Sequence, residues 1–311
     1  MTLTQLEYII ALDTFRHFGK AAEKCFVTQP SLSMQVQKLE EELKVKIFSR
    51  NSIPVEPTEV GLLIIEQAKK ILAESAYIKE LIHDHKKIIT GSIKLGIIPT
   101  LAPYLLPLFL HAFIKKYPDV KLSVSELTTD KILKRLRNGT LDAGIMATPL
   151  QEQGMIEEVL FHEEFVAYVS KKESLFKKKY LLPADIDVNK LWLLEEGHCL
   201  RSQVINLCAL QKSAALEKHF DYETGSIETL KRFVELHHGI TLLPELATLG
   251  MPAGRKQLLR YFKSPAPVRE ISMVTQKSFI KRNLVALLKA EIVASLPPTF
   301  RKKTSPLILD I

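Results

Sequence analysis

The amino-acid sequence predicts an α/β protein in three parts: a compact helical domain, one long helix, and a pair of α/β lobes. Three observations carry this reading. Residues 1 to 57 show helical periodicity broken only by short turns, and residues 58 to 90 contain no proline and no glycine after Gly61. Beyond Gly91, short apolar runs alternate with helical segments, the pattern of a mainly parallel sheet covered by helices.

Leu3, Leu6, Ile9, Ile10 and Leu12 set the inner face of a first helix, and Phe18 to Cys25 place small residues, Ala21 and Ala22, where a second helix must pack closely. Val27 to Gln29 then make a short turn. Thr28 is a suitable cap for the next helix, and Pro30 is tolerated in a first turn whose N–H groups have no intrahelical partner. That third helix buries Leu32, Val36, Leu39 and Leu43. Its other face offers Gln29, Pro30, Ser31, Ser33, Met34, Gln37 and Lys38, short to medium side chains without acidic groups, suited to the edges of base pairs in a major groove. Two helices joined by a tight turn, the second with such a face, form a helix-turn-helix.

From Thr58 onward Leu62, Ile65, Ala68, Leu72, Ala76 and Ile82 recur at helical spacing. A helix of about 30 residues reaches roughly 45 Å, and its apolar stripe needs a partner, so dimerisation through this segment is expected. The first α/β set reads as strand Ile93 to Ile98, helix Leu101 to Lys116, strand Val120 to Glu126, helix Lys131 to Arg137 and strand Ala143 to Met146. The second reads as strands Phe165 to Val169 and Leu191 to Leu194, a helix near Ser226 to His237, strand Gly239 to Leu243, strand Glu270 to Val274 and a helix from Phe279 to Ala294. The expected boundaries are 1–57, 58–90 and 91–300, with one lobe from 91–163 and 268–300, the other from 164–267, and a basic solvated tail at 301–311.

Composition excludes several classes. The 311 residues exceed one ordinary domain, and hydrophobic and charged shares of 46% and 25% are those of a soluble globular protein. No run approaches the roughly 20 apolar residues that cross a bilayer, and the N-terminus carries no export pattern, so a cytoplasmic location is expected. The net charge of +8 suits a polyanionic partner, but residues 1 to 90 hold 12 basic and 12 acidic side chains, so the surplus does not mark the helical domain. His219, His237 and His238 lack companions at metal-ligand spacing, so neither a metal nor a cofactor is expected. Cys25, Cys199 and Cys208 are too few for a disulfide scaffold, and Cys25 reads as a small packed residue.

Leu6-Glu7-Tyr8, Phe15, Phe18, Ala21-Ala22, Thr28 to Ser33, Leu39-Glu40, Leu43, Phe48-Ser49-Arg50 and Pro57 to Gly61 together resemble, in order and spacing, the signature of LysR-type regulators. The resemblance implies a winged helix-turn-helix, a linker-helix dimer and a two-lobed regulatory domain like a periplasmic binding protein. It places Arg50 in the wing near the minor groove. It also implies promoter DNA and RNA polymerase as partners and a homodimer or homotetramer as the working unit, with no membrane association.

Cys199 and Cys208 stand nine residues apart, and as residues alone they fit either inert core thiols or a reacting pair. If the segment between them is helical, their Cα atoms lie about 13 Å apart, whereas a disulfide needs roughly 7 Å or less, so bonding would unwind it. His198 and Arg201 are cationic groups placed to stabilise a thiolate at Cys199, while Cys208 has uncharged neighbours. Glu195 to Arg201 with the spacing to Cys208 further resemble the redox segment of the peroxide-sensing members of the family. That resemblance implies that Cys199 reacts with hydrogen peroxide, that Cys208 resolves the product to a disulfide which cellular thiols reduce, and that Thr100 and Thr129 line the peroxide pocket. Each threonine also suits a helix cap. Ser202 departs from the family, where an acidic residue is common, so a hydrogen-bond partner in the pocket is expected to be missing or replaced. Two other readings stay open: a regulator whose ligand is a small metabolite held between the lobes, and a thiol peroxidase built on Cys199.

Overall fold

The computed structural model describes residues 1–49, 54–85, 89–150, 152–195, 197, 199–207, 224–277, 279, 281–301 and 307–308. It divides into two compact units, residues 1–88 with 278–282, and residues 89–277 with 283–311.

In the first unit the elements run α1 (Leu3–Phe15), α2 (Phe18–Lys24), α3 (Gln29–Leu43), β1 (Phe48–Ser49), β2 (Glu56–Pro57) and α4 (Glu59–His85). Each short helix starts on a side-chain acceptor that satisfies otherwise orphaned N–H groups: Thr2 for α1, His17 Nδ1 for α2, and Thr28 for α3, whose hydroxyl accepts from Ser31 N at 3.4 Å. Leu6, Ile9, Leu12, Ala21, Ala22, Leu32, Val36 and Leu39 form one core, closed by Ile65 and Ala68 of α4. The buried Glu40 carboxylate accepts from Ile47 N at 2.8 Å and Phe48 N at 3.1 Å, which pins β1 to α3. β1 and β2 pair antiparallel, the two-stranded wing that the resemblance implied. Gly61 lies so close to this junction that a Cβ there would stand 2.0 Å from Ile47 O. Leu62, Leu63 and Ile78 of α4 remain exposed, and the side chains of Ala76 and Ile82 lie outside those described.

The second unit continues with β3 (Gly91–Ile97), α5 (Ala102–Lys116), β4 (Val120–Glu126), α6 (Thr129–Arg137), β5 (Ala143–Thr148), β6 (Met155–Val169), β7 (Tyr180–Leu181) and α7 (Cys199–Leu207). It ends with α8 (Ile227–Leu236), β8 (Ile240–Pro244), α9 (Ala253–Lys256), β9 (Leu259–Phe262), β10 (Pro267–Gln276), α10 (Arg282–Ser295) and β11 (Leu307–Ile308). The strand order is β4-β3-β5-β10-β6-β9-β7, with β8 on β6 and β11 on β10.

The expectation of a mainly parallel sheet needs correction. Among the described residues β3, β4 and β5, separated by helical crossovers, pair parallel, as do β10 with β11 and β7 with β9, whereas β10 runs antiparallel to β5 and β6, and β6 antiparallel to β8 and β9. β6 is the backbone of both lobes, since its first part pairs with β10 and Phe165–Val169 pair with β8 and β9. Its first part was missed because Met155 to Glu164 carries four glutamates and leaves Ile156 and Val159 exposed, which blurs the alternation a half-buried strand displays. The strand expected at Leu191 to Leu194 reduces to one bridge from Leu191 to Ile240. Among the described residues no helix is long and apolar enough to cross a membrane.

Candidate functional sites

Two constellations stand out, one in each unit. In the first, α3 presents the face expected of it: Gln29, Pro30, Met34, Gln37 and Lys38 are exposed and Ser31 and Ser33 half-buried, while Leu32, Val36 and Leu39 hold the helix to the core. Gln37 Nε2 donates to Glu41 Oε1 at 2.9 Å, one turn along the outer face. Arg50 lies outside the described residues.

The second constellation is a thiol in a buried, charged pocket. Cys199 begins α7 and is buried, 6% exposed. Burial pushes its thiol pKa up, because the thiolate loses water. Four groups act in the opposite direction: the Arg269 guanidinium, the nearby Thr129 hydroxyl, whose buried oxygen has no full hydrogen-bond partner, and the backbone N–H groups of Leu200 and Ala147. The pocket is therefore assembled from α6, β5, α7 and β10, which sequence separates widely.

Arg269 is held in place by its own partners. On β10 it sits directly opposite Glu163 of β6, and both side chains are fully buried. Arg269 Nε donates to Glu163 Oε1 at 2.8 Å and Nη2 lies 2.7 Å from the same oxygen. Nη1 donates to Thr100 Oγ1 at 3.1 Å. Glu163 is completed by Leu246 N at 3.0 Å. Burial pushes the Glu163 carboxyl up, and the guanidinium opposes that shift.

The sequence-predicted residues distribute as follows. Thr129 faces the sulfur and Thr100 anchors Arg269. Neither is a side-chain helix cap, for Leu101 and Thr128 occupy the cap positions of α5 and α6, each without a cap bond. Arg201 points elsewhere, its Nη1 donating to Leu194 O at 2.9 Å, and the guanidinium acting on Cys199 belongs to Arg269. Ser202 is on the exposed side of α7, so the pocket neither gains nor loses a partner through it. His198 and Cys208 lie outside the described residues. Sequence reasoning missed Arg269 and Glu163. The available signal was an arginine two residues before Ile271, in a stretch that also carries the apolar Met273 and Val274, and a glutamate two residues before the apolar run that begins at Phe165.

A separate cleft of about 440 Å³ opens between the lobes, lined by Tyr104, Glu126, Lys131, Glu195, Ser226 and Glu228 among others. Tyr104 Oη donates to Glu228 Oε1 at 2.9 Å, and the buried Lys231 ammonium lies 2.6 Å from that oxygen and 5.1 Å from the Tyr104 ring centre.

Comparison with known proteins sets this geometry in context. Residues 3–62 match the model of the bacterial regulatory helix-turn-helix protein, lysR family, and residues 88–296 match the LysR substrate binding domain. The chain is 35% identical over 285 residues to the hydrogen peroxide-inducible genes activator of Haemophilus influenzae, covering 91% of this chain and 93% of that protein. A solved full-length OxyR variant from Pseudomonas aeruginosa is similar at 34% identity and a TM-score of 0.71, over 94% of this chain and 98% of that one. A hydrogen-peroxide-bound cysteine variant of OxyR from Corynebacterium glutamicum is similar at 28% identity and a TM-score of 0.60, over 94% and 92%.

Proposed function

The chain belongs to the OxyR group of the LysR family, and on that premise we propose that it is a peroxide-sensing transcription regulator, not an enzyme, acting in the cytoplasm. It binds promoter DNA through the exposed face of α3, with Arg50 in the wing, and works with RNA polymerase as a dimer or tetramer. Cys199 is the sensing thiol.

The observation that carries the sensing role is the burial of Cys199 against Arg269, Thr129 and two backbone N–H groups. Outside such a pocket, burial alone would leave the sulfur an inert thiol. The thiolate attacks one peroxide oxygen, the O–O bond breaks, and the departing hydroxide takes up a proton and leaves as water. Cys199 is thereby oxidised by two electrons to a sulfenic acid. Arg269 offsets charge at the sulfur, and the Thr129 hydroxyl is placed to orient the oxygen under attack. The Cys208 thiolate next attacks the sulfenic sulfur, which expels a second hydroxide and closes the disulfide. Cellular thiols reverse the step by exchange.

The change of shape follows from geometry. Because α7 is helical from Cys199 to Leu207, a Cys208 continuing it would stand about 13 Å from Cys199, beyond the roughly 7 Å limit of a disulfide. Oxidation therefore exchanges α7 for another local fold, and Leu200, Val204 and Leu207, which pack in the second lobe's core, must move with it.

Brief peroxide treatment followed by mass mapping of cysteine connectivity, beside a promoter-binding assay, tests this. A Cys199–Cys208 bond that appears together with altered DNA binding is expected. Unchanged thiols with unchanged binding would favour the second reading that the inter-lobe cleft supports, a metabolite-responsive regulator. Catalytic consumption of peroxide in large excess over protein would instead indicate an enzyme.

A further inference from the structure

Helix α2 ends in a way that leaves one side chain unexplained by the fold. Phe26 N donates to Glu23 O at 3.1 Å and Val27 N to Ala22 O at 3.0 Å, the paired bonds of a Schellman ending. Such an ending places the residue after the cap in the left-handed region, where glycine is the unstrained choice. Here that residue is Phe26, with φ 56°. Its flanking residues, Cys25 and Val27, pack against the helical core, so the turn is anchored on both sides and residue 26 is directed outward. The ring is 94% exposed, more than any other large apolar side chain among the described residues. Arg16 and Lys44 share the backbone conformation, but they carry charged side chains, and Arg16 is tied to Asp13. Among the described residues Phe26 alone combines the strained backbone with a fully exposed aromatic ring.

Its position supplies the reason. Phe26 stands two residues before Thr28, the cap of α3, and Gln29, Pro30 and Met34 beyond it are likewise exposed. In a helix-turn-helix the N-terminal end of the second helix enters the major groove, so the turn before it lies at the groove edge. We propose that Phe26 is a DNA-positioning residue whose ring packs on an apolar C–H face of the duplex there, a thymine methyl or a deoxyribose. The proposal rests on the DNA-binding role of α3 given above and adds an apolar contact to its polar ones.

The test uses the full-length chain, a duplex selected by it from a random pool, and the Phe26→Gly and Phe26→Asn variants, both compatible with the left-handed turn. Expected are an unchanged or raised melting temperature, affinity lowered by roughly three- to tenfold at every salt concentration, and an unchanged slope of log affinity against log salt, since no phosphate contact is lost. Replacing thymine by deoxyuridine across the half-sites separates the two faces. If the methyl is the contact, wild type weakens and Phe26→Gly does not. If the sugar is the contact, neither responds. Wild-type binding with Phe26→Gly equally tight would overturn the proposal alone, and so would equal binding with lost transcription, which would assign the ring to a protein partner. A wild-type chain that selects no duplex would sink the DNA-binding reading as well.

Discussion

Arg269→Met separates the structural from the chemical use of the buried ion pair. In the wild type the guanidinium and the Glu163 carboxylate are both fully buried, with two close contacts between them. Removing the cation leaves a buried carboxylate whose one other acceptor bond is from Leu246 N. Stranding one charge of such a pair costs about 3 to 5 kcal/mol. Glu163 is already pushed up by burial, and loss of Arg269 removes the main opposing group, so the folded variant holds its proton to higher pH. A carboxyl whose folded pKa lies above its unfolded value keeps a proton that the unfolded chain releases. Its stability is therefore greatest at low pH and falls as pH rises from the ordinary carboxylate range toward the raised folded value, by up to about 1.4 kcal/mol per pH unit. Urea denaturation at pH 5 and pH 8 measures both quantities: Arg269→Met should be weaker than wild type at each and lose more between them. Adding Glu163→Gln, which removes the stranded charge and keeps an acceptor for Leu246 N, should recover most of the stability. It should not recover the peroxide reaction, because the charge opposite Cys199 is still missing. Thiol loss with peroxide should stay well below wild type at pH 7, because the cation that most opposes the burial of the thiolate is gone. An Arg269→Met protein within about 1 kcal/mol of wild type with the same pH slope would refute the pairing argument. A double variant that regains the wild-type peroxide rate would reduce Arg269 to a structural role.

Cys199→Ser should abolish the peroxide response, whereas Cys208→Ser should accumulate sulfenic acid at Cys199, read as increased dimedone labelling; label on Cys208 in Cys199→Ser, with Cys199 unlabelled in the converse variant, would reverse the roles. Because burial pushes the Cys199 thiol up, the thiolate fraction and hence the oxidation rate should rise as pH is taken above neutrality, and a flat profile from pH 6 to 9 would contradict that direction. Glu40→Ala should destabilise the helical domain by about 2 to 5 kcal/mol, since it leaves the Ile47 and Phe48 N–H groups buried without their acceptor, and thermal melting of the full chain would report it. Arg50→Ala should weaken promoter binding more than Arg301→Ala and shallow its salt dependence, and equal small effects would remove Arg50 from the interface.

Local pattern sufficed wherever a contact is made within one helix or between sequence neighbours. The buried face of α3, its Thr28 cap and Pro30 start, and the small residues of α2 all follow from 3.6-residue periodicity and capping chemistry, which act over a few positions. The helical state of Cys199 to Leu207 was legible for the same reason. Tertiary structure alone decided what surrounds the sulfur. Arg201, next but one in sequence, turns to a backbone carbonyl, while Arg269, 70 residues further on, acts on the thiol because β10 lies beside β5 and β6. Glu163 and Arg269 become a pair only through antiparallel register, a relation between strands that neither strand's own pattern encodes. The mixed direction of the sheet was hidden likewise. Strand polarity is set by how long connections return across the two lobes, and the half of β6 that carries this return keeps one face open to solvent.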